Sequence, residues 1–448
     1  MAGARLRILA LGAATLLGAG CTVVTVEPPS APAAEAHPVA RPAPPDPDRR
    51  VDARDLEPPY RRHFSEVRGL WVVRYTMTSE ESVRSMVERA DAAGINTLIV
   101  QIRGRADAFY ASALEPRAEP LRAADDFDPL AYAVEEAHGR GMAVHAWVNT
   151  HLVWGPAERP RSPEHVVNAH PGWLAVPRSL APELAPLDPS SPEYVDALIR
   201  YARERPGSVE GLYSSPSHPA VQERVYSVWM DLAARYDLDG IHFDYIRYPS
   251  ADFDYSIGAL ERFRTWALPR VPEARFQVLD KGAARGDLFA FVDGLPELWD
   301  DFRREQITGL VERIYRDVKV VRPGLVVSAA VVADARAAYE QRFQDWRRWL
   351  SDGILDVAVP MAYTTDHERF SSLIRDARGA AGASDRMWAG IGSYMNTPDG
   401  TVRMIDVARA EGAGGVVLFS YDWAVGEGQG DPGNPFLQRV GGARFGNR

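Results

Sequence analysis

From Ser65 onward the chain alternates short β-branched or apolar runs with longer stretches of helical periodicity, the pattern of repeated strand–helix units. Eight such runs occur: Arg68–Arg74, Ile95–Ile102, Ala143–Asn149, Asp239–Tyr245, Leu325–Val331, Asp356–Tyr363, Met387–Ser393 and Gly415–Tyr421. Gly94, Gly141 and Gly324 precede three of them and suit helix C-caps that feed a strand. Eight parallel units across roughly 380 residues predict an α/β fold, a (β/α)8 TIM barrel. A doubly wound open sheet would carry a Gly-rich phosphate turn, and none is found. Two connections are too long for simple helices. The stretch 150–235, after the third strand, holds Pro-rich segments and a helix near Val195–Glu204. The stretch 249–323, after the fourth strand, ends in a helix over Phe302–Val320. Long structured loops on the C-terminal face of a barrel build a cleft, and an extended cleft suits a polymer.

Upstream of Ser65 the periodicity is absent. Residues 27–59 are rich in Pro and Ala and cannot bury enough surface to fold, so residues 21–64 read as an extended tether and residues 65–448 as the barrel domain. Residues 1–20 carry Arg5 and Arg7, then an apolar run from Ile8 to Gly20 that is short for a membrane span; they read as a signal peptide. The chain has a single cysteine, Cys21, preceded by Leu17-Gly18-Ala19-Gly20. This is similar to a bacterial lipoprotein box, although Gly18 stands where Leu is usual. The expectation is a lipid-anchored envelope protein joined to a bilayer through lipidated Cys21, with Thr22 favouring the periplasmic side of an outer membrane where the cell has two.

Composition adds two constraints. A net charge of −10, moving to −12 when Arg5 and Arg7 are lost with the leader, speaks against nucleic acid as partner. With 46% hydrophobic residues, 11 Trp and 17 Tyr, the chain can fill a large core and still place aromatic faces at a sugar site.

In a parallel barrel the chemistry sits at the carboxyl ends of the strands. The fourth strand, Asp239-Gly240-Ile241-His242-Phe243-Asp244-Tyr245, closes on a carboxylate beside Arg247 and Tyr248, which suits acid/base work on a sugar. The bland alternative is a strand-end Asp that caps a helix or pairs with Arg247. The second strand leads to Gln101, Arg103 and Asp107, and the third presents His145, Trp147 and Asn149 at alternate positions. Tyr363, Tyr394, Tyr421, Asp422 and Trp423 close the last strands. Asp244 is thus the expected acid/base. Asp107 and Asp422 are candidates for the second carboxylate, and Arg103, His145, Trp147, Asn149, His242, Arg247, Tyr248, Tyr363, Tyr394, Tyr421 and Trp423 are candidates for substrate contact. His145, His242, Asp244 and Asp107 could make a nitrogen and oxygen metal set. No His-x-His pair on the first strand and no His-Glu-x-x-His motif accompany them, so no metal or cofactor is expected. Without a Gly-x-Ser-x-Gly elbow, serine nucleophile chemistry is disfavoured.

The order of Arg68-Gly69-Leu70-Trp71, Gln101-Ile102-Arg103, Asp107-Ala108-Phe109-Tyr110, Glu135-Glu136-Ala137-His138, His145-Ala146-Trp147-Val148-Asn149 and Asp239–Tyr245 with Arg247-Tyr248-Pro249 resembles glycosyl hydrolase-like family ten, the family 10 glycosylhydrolase envelope lipoproteins. The likeness runs over about residues 66–425. It implies a barrel, a lipid anchor and a glycan substrate, and one characterised kind in that group cleaves peptidoglycan glycan strands stripped of peptides. Relatives tend to carry Leu-Asp-Pro where this chain has Leu212-Tyr213-Ser214-Ser215-Pro216, and Leu187-Asp188-Pro189 lies further upstream. Chitinase-type barrels place a Glu proton donor where this chain has Ile246. Asp244 must then act itself, or a carboxylate from another strand must. An N-acetyl carbonyl on the sugar could replace a protein nucleophile. The expectation is a glycoside hydrolase acting on cell-wall glycan, likened to peptidoglycan strands. The alternatives are a non-catalytic glycan-binding or scaffolding lipoprotein with a degenerate barrel and, third, a transglycosylase.

Overall fold

The computed structural model describes residues 64–121, 126–156, 158–425 and 435–446, so the leader, Cys21 and most of the tether lie outside the described residues. Among the described residues there are ten strands: β1 Val67–Val72, β2 Thr97–Arg103, β3 Ala143–Asn149, β4 Leu152–Trp154, β5 Leu212–Tyr213, β6 Gly240–Asp244, β7 Val326–Val332, β8 Val357–Met361, β9 Trp388–Gly392 and β10 Gly415–Phe419. Eight close into a parallel barrel in the order β1-β10-β9-β8-β7-β6-β3-β2, while β4 and β5 form a separate antiparallel pair. All eight apolar runs become barrel strands. Gly94 and Gly141 take φ of +72° and +74°, the left-handed turn expected where a helix gives way to a strand.

Both faces of these strands are covered, which explains their near-continuous apolar character. Outward residues such as Leu98, Val100, Ile241 and Phe243 pack beneath the surrounding helices. Trp71, Ile99, Trp147, Val359, Trp388 and Val417 fill the barrel interior. Large rings need small neighbours in a close-packed core. A Cβ on Gly240 would stand 2.3 Å from His145 Nδ1, and one on Gly390 would stand 3.0 Å from the Trp71 ring.

The two long connections share a second core. Val176, Leu198 and Leu212 from the first meet Tyr255, Phe263, Trp299 and Phe302 from the second. The expected helices are there, as Pro192–Arg203 and Pro296–Val321. Buried Asp254 accepts the N–H groups of Val176 and Ser256, both at 2.8 Å, and so laces one connection to the other. Arg303 donates to the carbonyls of Ala251 and Phe253 with its guanidinium 3.8 Å from the Phe343 ring centre. This mass stands on the β3–β6 side of the barrel mouth, since its chain leaves and re-enters at those strands. No described helix is long and apolar enough to cross a membrane.

Candidate active site

Asp244 is the last residue of β6 and points inward with Gly240 and His242, as the two-residue period requires. Its Oδ1 accepts the Tyr245 N–H at 2.6 Å and Arg247 Nη1 at 3.2 Å. Oδ2 accepts no hydrogen bond from the described residues and stays open to solvent, the side chain being 9% exposed. The carboxyl is therefore recessed at the barrel mouth. Burial raises its pKa above the usual carboxylate range, and Arg247 opposes that rise.

After Asp244 the chain turns sharply. Tyr245 adopts φ +49°, a left-handed conformation that costs a tyrosine about 1 kcal/mol or more. The turn brings its ring under the Arg247 guanidinium, 4.3 Å away, and within 6.0 Å of the Tyr213 ring. Burial, then the Asp244 charge, pushes the Tyr245 phenol up to about 12. Tyr213 donates to Glu210 Oε2 at 2.7 Å. Glu210 is exposed, and among the groups that shift the Asp244 pKa its charge ranks last in size.

The opposite side of the mouth is aromatic. Tyr363 meets Phe419 at 5.6 Å and Tyr394 edge-on at 5.9 Å, and Tyr394 is 41% exposed. Burial and then the Asp244 charge hold the Tyr363 phenol well above its usual value, so the aromatic floor lies within the field of the acid. Gly392 leaves room for Tyr363, because a Cβ there would press within 3.2 Å of it. Beneath lies a polar floor. Arg74 Nη1 donates to Gln101 Oε1 at 3.0 Å, and Gln101 Nε2 donates to Asn149 Oδ1 at 3.2 Å. Trp147 Nε1 donates to the same oxygen at 2.9 Å. Trp147 and Asn149 are thus buried supports of the floor, not surfaces of it.

Several expected contact residues lie elsewhere. His242 is sealed in the barrel. Trp71 Nε1 can only donate, so His242 Nε2 accepts it at 3.1 Å and the proton of the neutral ring sits on Nδ1, donated to Ser328 Oγ at 2.9 Å. Burial, then neighbouring His145, keeps its pKa well below the ordinary value. His145 lies one layer deeper against Trp388, and burial lowers its pKa to about 4. Arg103 is 3% exposed, pairs with Glu115 at 3.0 Å and donates to the Asn149 carbonyl at 2.5 Å. Tyr248 packs on Phe343 in the outer core. Tyr421 feels Arg89 and Ser85 of the first helix, outside the barrel, and Trp423 packs edge-on against Phe436. Asp422 accepts Val73 N–H and Thr76 Oγ1, both at 2.6 Å, so its two oxygens pin the end of β10 to the end of β1. Asp107 is half-buried at the rim, with Oδ1 on the Arg105 N–H at 2.8 Å. Among the described residues no three His, Cys, Asp or Glu side chains converge as a metal set. Of the expected residues, Asp244, Arg247, Tyr363 and Tyr394 come together. Tyr245, Tyr213, Glu210 and Phe419 complete the group without having been singled out. Tyr245 and Phe419 adjoin strand ends that had been, and Glu210 carried no pattern that marked it.

The model of the glycosyl hydrolase-like 10 family matches residues 66–383, which takes in every barrel strand except β9 and β10. Glycosyl hydrolase YngK of Bacillus subtilis (strain 168) is 26% identical over 291 residues, 60% of this chain and 46% of that protein. Glycosyl hydrolase DigH of Escherichia coli (strain K12) is 26% identical over 301 residues, 62% of this chain and 58% of that protein. The chain thus spans about half the length of these curated relatives. Among solved structures, the PgaB (BpsB) glycoside hydrolase domain from Bordetella bronchiseptica superposes with a TM-score of 0.57 at 14% identity, over 84% of this chain and 98% of that one. The catalytic domain of beta-amylase from Paenibacillus polymyxa gives 0.54 at 9% identity, over 85% and 99%. At these identities the structural likeness is one of fold, an eight-stranded barrel. The family match is the stronger statement: the chain belongs to the glycosyl hydrolase-like 10 family.

Proposed function

We propose that this protein is a glycoside hydrolase that cuts cell-wall glycan, with peptidoglycan strands as substrate and Asp244 as general acid. The observation that carries the reading is the Asp244 carboxyl itself: recessed at the barrel mouth, raised in pKa by burial, held at one oxygen and open at the other. A carboxylic acid whose pKa is raised by burial, with one oxygen uncommitted, suits the transfer of a proton to a leaving glycosidic oxygen. Tyr363, Tyr394 and Phe419 offer the apolar floor on which a sugar ring rests. Glu210, exposed and bonded to the Tyr213 hydroxyl, and Asp107 at the rim are the candidates for a partner carboxylate. An N-acetyl oxygen of the substrate could also serve in place of a protein nucleophile. Asp422, with both oxygens committed, is left out of the chemistry.

The names of YngK and DigH as glycosyl hydrolases support the reaction class. The Arg-flanked leader and Cys21 support anchoring in the envelope through a lipidated N-terminus, with the tether holding the barrel near the wall. A second reading, a glycan-binding lipoprotein without turnover, draws on the ion pair that engages Asp244. Incubating the soluble body with purified peptidoglycan, with and without prior amidase treatment, separates the two. Hydrolysis releases new reducing ends and water-added fragments by mass. Retention of the glycan with no release supports binding alone, and anhydro products point to a transglycosylase.

A further inference from the structure

The two flanks of β6 end differently. Towards β3 the pairing runs to the Asn149–Asp244 rung, and the Thr150 and His151 N–H groups carry it on, donating to the Asp244 and Tyr245 carbonyls at 2.8 and 3.2 Å. Towards β7 the ladder stops at the Phe243–Ala329 rung, one residue before Asp244. A side chain takes over there. Gln344 is fully buried, and its Oε1 accepts the Val332 N–H at 2.9 Å. Its Nε2 donates to the Ala330 carbonyl at 3.3 Å and to the Ile246 carbonyl at 3.4 Å. Only an amide offers an acceptor and two donors in one plane, so these three backbone groups fix both its identity and its orientation. Gln344 thus stands in for the rung that β6 and β7 no longer make.

The loop that carries Gln344 grips the same segment twice more. The Arg342 carbonyl accepts the Tyr248 N–H at 3.0 Å, and the Phe343 ring meets Tyr248 edge-on at 5.4 Å. Phe343 holds φ +55°, a conformation that a bulky residue keeps only where its surroundings dictate it. The Ile246 carbonyl belongs to the peptide that leads directly into Arg247. Fixing that peptide fixes where the Arg247 side chain starts, and from there Nη1 reaches Asp244 Oδ1 at 3.2 Å. That distance is the long end of the N–H···O range, so a backbone shift of about 0.3 Å is enough to part the pair. After burial, Arg247 is the largest influence on the Asp244 carboxyl, ahead of the Tyr245 N–H and Glu210.

We propose that Gln344 is a positioning residue: by tying the Ile246 peptide to β7 it holds Arg247 against Asp244. This rests on the reading of Asp244 as the acid. The test is Gln344→Met, which keeps the length of the side chain and removes its donor and acceptor. Tyr236→Phe is the control, since it loses a buried 2.7 Å bond to Asp128 away from residues 244–248. Full-chain proteins are compared in urea stability, in kcat and KM on amidase-treated peptidoglycan, and in the titration of the Asp244 carboxyl. The last is read by NMR with carboxyl-labelled aspartate, Asp244→Asn identifying the signal. In Gln344→Met the carboxyl titrates about half a pH unit higher or more, because its cation has drawn off. The alkaline limb of kcat/KM follows it, and kcat falls about tenfold with KM within about threefold. In an Arg247→Gln background Gln344→Met adds no further shift, as expected of a residue that acts through Arg247. Gln344→Asn, one methylene short of Ile246, shifts the titration the same way where the Met protein folds poorly. Tyr236→Phe loses stability and leaves the titration in place. An unmoved Asp244 titration in a folded Gln344 variant, a shift that persists without Arg247, or an equal shift in Tyr236→Phe overturns the positioning role. An unmoved titration with intact turnover leaves the hydrolase standing. A moved titration in a protein that releases no reducing ends overturns the hydrolase and leaves the positioning role.

Discussion

Asp244→Asn removes the proton and the charge while keeping almost everything else. The amide oxygen can go on accepting the Tyr245 N–H and the Arg247 donor, now at 2.6 and 3.2 Å from Oδ1. The amide nitrogen takes the place of Oδ2, the oxygen open to solvent, so no buried donor is left without a partner. Removing one member of a buried ion pair commonly costs about 3–5 kcal/mol. Here two terms reduce that cost: the retained hydrogen bonds, and the vanished desolvation penalty that raises the carboxyl's pKa. A net loss of about 1–2 kcal/mol of stability is expected. The chemical loss is larger. A general acid contributes about 10²–10⁴ in rate, or about 3–5 kcal/mol of barrier. Reducing-end release should therefore fall at least about a hundredfold after normalisation to the folded fraction, with KM within about threefold. A variant that stays folded and retains a rate within about tenfold of the original removes Asp244 from the reaction.

Arg247→Gln deletes the cation that opposes the rise of the Asp244 pKa, so the acid stays protonated to higher pH. The alkaline limb of the kcat/KM profile should move toward higher pH, and a limb that stays put or moves toward acid contradicts the assignment. Asp422→Asn weakens the clasp on Val73 and Thr76, costing about 1–2 kcal/mol in urea unfolding with kcat/KM within about threefold; a hundredfold rate loss in folded protein would return Asp422 to the mechanism. His145 has a folded pKa of about 4 against an ordinary 6.5, so the stability it contributes is present above pH 6.5 and is lost as pH falls toward 4. That loss amounts to about 2 kcal/mol by pH 5, and His145→Gln should flatten this slope between pH 7 and pH 5. Tyr394, 41% exposed, can be cut to Ala with little effect on melting, yet KM should rise about fivefold if a sugar face rests on it; an unchanged KM takes the ring out of the site.

The barrel is legible in the sequence because a parallel strand covered on both faces is nearly continuous in apolar residues. Thr97–Arg103 and Ala143–Asn149 are buried at every position, and such runs stand out against the amphipathic helices between them. The insertions were visible as excess length, and their helices as period. Their shared core was not, because contacts between residues such as Val176 and Tyr255 are set by the three-dimensional path of both connections. Residues 1–63, with Cys21, lie outside the described residues, and their reading rests on sequence.

The candidate site was legible by face but not by depth. Alternation assigned His145, Trp147, Asn149, His242 and Asp244 to the barrel interior, and all of them point there. A period of two says nothing about height along the axis, however. The lower positions, His145 and His242, are sealed by Trp388 and Trp71, and only the last residue of the strand reaches the mouth. Beyond the final ladder hydrogen bond the period ends too. The left-handed turn at Tyr245 swings the ring of that residue to the Arg247 side and sends Tyr248 into the outer core, where alternation would have continued inward and outward in step. The helix that begins at Tyr421 directly after β10 likewise turns Tyr421 and Trp423 away and leaves Phe419 at the mouth. Polar residues at the ends of barrel strands therefore divide by height: those inside the ladder support the floor, its last residue, Asp244, opens at the mouth, and those beyond it come back to the mouth only where the turn carries them.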